Sequence, residues 1–391
     1  MRSRAVAAVA VLVIALSACS EPLEFAAWTI PAAAGARIVE YGPVPIEERI
    51  AEIELVADLT VGGDPDDANQ SFYNPSDIAV AADGRMFVLE RGNHRIQAFS
   101  GTGEYSTTIG REGQGPGEIA QGGEIAVVED RLVRSGDSKL SVWTLDGEHL
   151  SDSALPFRQS FAISRLSPGW VFGTRSEFNE DNTSAERFIR VSLQAETGMT
   201  FAEATLPRSL VTIVNESGMT IVRLPGPTPA FATTLDGMVY VTAADEYQVH
   251  AFDAEGRARW ALRTAWERLS VNDVDIERAV LRRTGETPAR NLDVEWPQLN
   301  PALASVAGTQ GGPALLVDGH GHLYVFPFVR EPIDGRYPVD VYAADGERLF
   351  AGLIRVTSWK DALKDFVYLF EARESDGEAV AVRYRLVEPF E

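Results

Sequence analysis

The chain has a single cysteine, Cys19, and only three lysines among its 35 basic residues. One thiol forms no intramolecular disulfide, so the fold must hold through its core and its topology. Long apolar runs are also missing. The longest, Ala5 to Leu16, falls short of the roughly 20 residues that span a bilayer. There is no Gly-x-Ser-x-Gly elbow, no phosphate-binding loop and no dinucleotide fingerprint. The five histidines (His94, His149, His250, His320 and His322) contain no His-x-x-x-His pair. These gaps remove the signatures of the common hydrolase, nucleotide and zinc-protease classes. Acidic residues number 57, giving a net charge of −22 at pH 7, a balance that argues against nucleic acid or an anionic membrane surface as partner.

What the chain does have is internal repetition. The stretch from Asp77 to Glu104 consists of short β-prone runs separated by the turns Ala82-Asp83-Gly84, Arg91-Gly92-Asn93 and Gly101-Thr102-Gly103. Residues 85–99 lie without a gap on 131–145 and again on 238–252, so that Phe87 meets Tyr240, Ile96 meets Val249 and Phe99 meets Phe252. Degenerate copies follow at 170–177 with 188–194, and at 322–328 with 340–347. A fixed period of this size means units that cannot bury their apolar faces alone, and four strands per unit fit a propeller blade. Setting aside two long connections, 206–229 and 266–307, the span 53–391 leaves about 46 residues for each of six blades. The expected fold class is therefore all-β, a six-bladed β-propeller with a short helical insertion between blades 4 and 5. Ile53 to Leu59 alternates as a strand before any blade begins, and the last unit lacks a fourth strand; the N-terminal strand is expected to complete that blade and close the ring.

The N-terminus reads as an export signal, with Arg2 and Arg4 ahead of a short apolar core. The segment Leu16-Ser17-Ala18-Cys19 resembles the lipobox of bacterial lipoproteins, in which the cysteine is acylated and becomes the first mature residue. An ordinary secretory signal cut after Ala18 is the competing reading. The expected organisation is a signal peptide over 1–18, a tether over 19–52 rich in alanine, proline and glycine, and the propeller over 53–391. Ser20 after the cysteine resembles the signal for release to the outer membrane of diderm bacteria, which implies an envelope lipoprotein on the periplasmic face. Removing Arg2 and Arg4 with the signal leaves 33 basic residues against 57 acidic ones, a net of about −24.

Two glycine-rich connectors, before Asp77 and before Glu124, each end in an acid followed by Ile-Ala-Val. Together with the Asp83-Gly84 turn and the Asn93-His94-Arg95-Ile96 segment, this resembles the NHL-repeat family. The match is specific in the first third of the propeller; the second unit has Lys139, Leu140 and Ser141 where the pattern is expected. The resemblance implies a six-bladed ring with a binding role, and it suits Arg91, Asn93 and Arg95 to bracing a loop.

In such a ring the second-to-third-strand loops and the blade-to-blade connections open on one face, and both long insertions emerge there. Long irregular loops on a rigid scaffold usually carry function. The candidate ligand-binding residues are those of that face: Glu90, Arg91, Asn93 and His94; Arg134, Asp137 and Lys139; Arg175 and Glu177; Asp245, Glu246 and Tyr247; Arg330 and Arg336. Within the second insertion, Ser270 to Asp273 reads as a helix cap and Asp275 to Arg283 as the helix. Val274, Ala279, Val280 and Leu281 are expected to rest on the ring as a lid or side wall. Asp77 and Glu124 are weak candidates for a cation, as is the acidic turn Asp64 to Asp67 for calcium, but two carboxylates fall short of the six or more oxygens that calcium wants, so no cofactor is expected. The pair His320 and His322 looks like a ligand motif but lies at a first-to-second-strand turn on the opposite face, with no third ligand converging in sequence.

These features favour a lipid-anchored, monomeric binding scaffold. Its expected partner is a small molecule, a glycan or an envelope protein held at the loop-rich mouth. The alternative is a metal-dependent propeller hydrolase or lyase, of the lactonase or amidating-lyase kind, with its metal in the central channel.

Overall fold

The structure is a computed structural model that describes residues 28–29, 36–157, 162–179, 183–207, 210–215, 218–223, 228–244, 246–266, 272–284, 314–329, 332–355, 359–372 and 378–390. The signal segment, Cys19, Asp245, Arg330 and the second half of the 266–307 insertion lie outside these residues.

Six four-stranded antiparallel blades follow one another among the described residues. The first four blades begin on the inner strands Pro75–Val80, Glu124–Val128, Ala162–Ser167 and Ala230–Thr233. The fifth and sixth begin on Leu315–Val317 and Asp361–Leu363. The aligned repeats occupy matching places: Met86–Glu90, Arg131–Gly136 and Val239–Thr242 are second strands, and Arg95–Phe99, Lys139–Thr144 and Gln248–Phe252 are third strands. Phe87, Val133 and Tyr240, which the alignment superposes, are all fully buried. Second and third strands bury both faces because each sheet packs between two neighbours, so burial runs almost unbroken along them even where the residue is polar, as at Gln97, Ser141 and His250.

An apolar cluster fills each gap between neighbouring blades. Phe87, Ile125 and Trp143 join blades 1 and 2, Leu140, Val171 and Ile189 join 2 and 3, and Phe172, Phe201 and Val241 join 3 and 4. Tyr240, Leu315 and Tyr342 join 4 and 5, and Tyr324, Trp359 and Val367 join 5 and 6. Ile78, Phe99, Leu363 and Tyr368 join 6 back to 1. Six clusters in a closed cycle make a ring in which no unit can leave without exposing two apolar faces.

Closure is achieved by the strand Glu52–Val61. Residues 54–61 pair antiparallel with Ala379–Val387 and supply the missing outer strand of blade 6. Glu52 and Ile53 pair parallel with Leu353 and Ile354 of blade 5, which fuses the last two blades into one eight-stranded sheet.

The described part of 19–52, read from sequence as a tether, lies against the ring. Trp28–Thr29 pairs with the outer strand of blade 3, and Arg37–Tyr41 pairs parallel with the outer strand of blade 4. Arg49 then inserts between blades 4 and 5, with 2% of its surface exposed. Its Nη1 lies 2.9 Å from Asp340 Oδ1 and donates to Val339 O at 3.0 Å. The segment is thus a belt that covers the unpaired outer edges of successive blades.

Both insertions carry structure of their own. The first forms the hairpin Leu210–Asn215 with Gly218–Arg223. The second begins with the helix Asp273–Thr284, which packs on the Gly218–Arg223 strand. The Asn272 side chain accepts from the Asp275 N–H at 3.1 Å while Asp275 accepts from the Asn272 N–H at 3.0 Å, a reciprocal cap. Of the expected apolar set only Ala279 and Val280 are buried; Val274 and Leu281 are about half exposed, because the face that meets a neighbour is narrower than the sequence suggests. No helix among the described residues is long and apolar enough to cross a membrane.

Candidate functional site

The inner strands of all six blades enclose a central cavity of about 390 Å³. Asp77 and Glu124 stand at its rim, set there by the glycine connectors. At Gly123, which has φ +140°, an added Cβ would lie 2.1 Å from Ser135 O, so only glycine lets the chain approach closely enough to deliver Glu124. Asp77 Oδ2 accepts from the Ile125 N–H of blade 2 at 2.8 Å. Glu124 Oε2 accepts from the Ile163 N–H of blade 3 at 2.9 Å. In blade 6, Asp361 Oδ2 accepts from the Val80 N–H of blade 1 at 2.7 Å. Three consecutive blades therefore hook onto the next through a carboxylate, and each hook uses oxygen that a cation would need.

Desolvation dominates the electrostatics here. Burial, with the Glu124 charge added, pushes the Asp77 carboxyl up to about 8. Burial likewise raises Glu124, against the pull of its backbone hydrogen bond and the nearby Lys360 charge. Lys360 is exposed at the same rim, and Trp359 beside it lines the cavity. Deeper in the channel, Arg165 of blade 3 pairs with Asp361 of blade 6. Those blades face each other across the ring, so this ion pair spans the channel.

Most of the loop residues picked from sequence are engaged in holding loops. Glu90 is fully buried and accepts from Tyr73 N–H at 2.9 Å, Asn93 Nδ2 at 2.7 Å and Arg95 Nε at 2.7 Å. Arg95 continues to Ala68 O at 2.8 Å, which ties the first connector to blade 1. Arg91 is exposed and passes beside Gly122, and His94 adopts φ 52° at the turn. Arg134 is fully buried, binding the carbonyls of Gln121 and Gly122 and Asp137 Oδ2 at 2.9 Å. Lys139 pairs with Asp152 at 2.7 Å. Arg175, Glu177, Arg187 and Glu203 form a charged ladder along blade 3. Tyr247 is buried and donates to Asp340 Oδ2 at 2.5 Å, completing the Arg49 anchor. Glu246 precedes it on the same loop, its carbonyl accepting from Gln248 N–H at 2.8 Å. Arg336 binds Glu52 at 3.1 Å, on the belt. Glu90 and Tyr247 are buried and hydrogen-bonded within the fold, and Arg134 is buried and held through its Nη2, so all three brace loops.

On the opposite face, Asp318, His322 and Glu388 converge with their ligand atoms within 4.8 Å of one another. The neighbouring His320 ring, 6.0 Å from that of His322, is bound instead by Asp365 at 2.7 Å.

The family profile DUF5128, described as a 6-bladed beta-propeller, matches residues 69–255. The chain is a six-bladed β-propeller. No curated protein matches it. Among solved structures, the propeller is similar to a DUF4221 family member from Bacteroides vulgatus, with 12% identity and a TM-score of 0.46 over 86% of this chain and 99% of that one. It is also similar to a protein from Bacteroides fragilis described as exported, with 10% identity and a TM-score of 0.48 over 90% and 100%. Virginiamycin B lyase from Staphylococcus aureus gives 12% identity and a TM-score of 0.38 over 86% and 100%.

Sequence reasoning missed Arg165, Lys360 and Asp361 in the propeller channel. The inner strand of blade 6 has only three residues, too few to announce itself by periodicity. The scarcity of lysine was the one signal that could have drawn attention to Lys360.

Proposed function

We propose that this propeller is a lipid-anchored envelope protein that holds a small oxygen-rich ligand, such as a short carboxylate or a glycan unit, at the rim of its central channel. The observation that carries the reading is the meeting of buried Asp77 and Glu124 with exposed Lys360 at one rim. With its carboxyl raised to about 8, Asp77 keeps its proton at neutral pH and offers an O–H donor; Lys360 adds a cationic donor beside it. Donors in a desolvated recess select ligands rich in acceptor oxygen. The two insertions, which pack on each other, serve in this reading as a wall of the mouth. Anchoring rests on Cys19 within Leu16-Ser17-Ala18-Cys19.

A thermal-shift screen of small carboxylates and mono- and disaccharides tests the binding site. A ligand at about 100 times its Kd adds about 2.7 kcal/mol of stability. That shift should vanish in Lys360→Ala while the unliganded melting temperature stays unchanged, and a ligand that stabilises Lys360→Ala as well as wild type refutes the rim. For the anchor, wild type should take up labelled fatty acid and Cys19→Ser should not. Failure of wild type to label would remove the lipoprotein reading.

A further inference from the structure

The lower end of the channel carries a second cluster, independent of the rim. Asp318 follows the inner strand Leu315–Val317 of blade 5 and lines the central cavity at the end opposite Asp77 and Glu124. His322 closes the turn after it, and Glu388 arrives from just past the last strand of blade 6.

The three side chains are held in place by others. Asp318 Oδ1 accepts from the backbone N–H groups of His320 and His322, both at 2.9 Å, which leaves Oδ2 directed at His322 Nδ1 at 2.8 Å. Tyr324, buried beneath, donates to Glu388 Oε1 and lies 3.4 Å from Asp318 Oδ2. Glu388 Oε2 is then 3.6 Å from His322 Nδ1. Phe390 packs edge-on to the imidazole at 5.7 Å and fixes its plane. Carboxylates and an imidazole oriented by outer hydrogen bonds are the arrangement that metal ligands adopt.

Charge points the same way. The side chains of Asp318 and Glu388 are 0% and 4% exposed. Two buried carboxylates against one imidazole, even a protonated one, leave an excess negative charge out of water, which is costly. One divalent cation with a neutral imidazole balances the pair.

We infer that Asp318 Oδ2, His322 Nδ1 and Glu388 Oε2 form a site for one divalent transition metal of the zinc type. Zinc bonds of 2.0 to 2.2 Å place tetrahedral ligands about 3.3 Å apart, and the His322 separations of 2.8 and 3.6 Å bracket that value. An imidazole with two carboxylates suits zinc and its neighbours, whereas calcium wants six or more oxygens. Three protein ligands leave the fourth position for water or another small ligand.

Zn²⁺ alone is the probe, titrated calorimetrically into the chelator-treated full-length chain, with circular dichroism and melting temperature confirming that each variant folds. Wild type should bind one equivalent. His322→Gln should weaken binding at least about tenfold, and so should Glu388→Gln, a near-isosteric change outside the strands. His320→Asn should bind as wild type, and Ca²⁺ should not compete. Absence of stoichiometric Zn²⁺ uptake would overturn the site and leave the cluster as an ion triad that clamps 388–390 to blade 5. Uptake lost in His320→Asn yet kept in His322→Gln would overturn it too, by moving the metal to the surface pair His320–Asp365.

Discussion

Replacing Asp77 with asparagine should make the propeller more stable above pH 4 and remove the part of its pH sensitivity that Asp77 contributes. The Asp77 carboxyl sits at about 8 in the folded chain against 3.8 when free, because burial and the Glu124 charge both disfavour ionisation. Between about pH 4 and pH 8 the folded protein therefore holds a proton that the unfolded chain has released. Stability falls as pH rises through that window, by up to about 1.4 kcal/mol per pH unit, and levels off above it. At pH 7 the accumulated loss is at most about 4 kcal/mol, shared with Glu124, whose carboxyl is raised by the same burial. An asparagine carbonyl oxygen can accept the Ile125 N–H that Asp77 Oδ2 accepts at 2.8 Å, so the hook to blade 2 survives while the ionisable proton disappears. Denaturant unfolding at pH 4, 6 and 8 should show Asp77→Asn within about 1 kcal/mol of wild type at pH 4. At pH 8 it should be more stable by about 2 to 4 kcal/mol, with a melting temperature several degrees higher. Parallel profiles for the two proteins would mean that Asp77 is ionised in the fold and would remove the donor assigned to it at the rim. If the rim reading holds, the stabilised variant should also bind its ligand less well, the usual trade between a strained site and stability.

Arg49→Met should cost about 3 to 5 kcal/mol by stranding buried Asp340 without its cation; adding Asp340→Leu should recover part of that loss, and two additive losses in chemical denaturation would contradict the pairing. Deleting 53–59 takes away the outer strand of blade 6 and should abolish the single cooperative unfolding transition; an unchanged melting curve would show that the ring closes some other way. Gly123→Ala should lower the melting temperature sharply, because the new Cβ meets the Ser135 carbonyl in a backbone conformation that side chains rarely adopt; a wild-type melting curve would show that the connector can relax and that glycine is not what seats Glu124.

The sequence by itself determined the blade. Gly and Asp-Gly turns at regular spacing, with apolar residues such as Phe87, Val133 and Tyr240 in register, are local and periodic facts, and they suffice for strand order, blade number and the unpaired strand at 53–59 that closes the ring. Part of the helix cap was legible too, since Asn272 and Asp275 act within one turn. The site was not legible, because a closed ring brings together residues that no window of sequence contains. Arg165 finds Asp361 across the channel, 196 positions away. Glu388 meets His322 only because blade 6 folds back on blade 5. The loop residues that looked like binding groups, Glu90 and Arg134 among them, turned out to be buried and paired. A charge in a loop reads the same in sequence whether it faces water or braces a connector; only burial, and the desolvation that lifts Asp77 while it leaves an exposed carboxylate alone, separates the two.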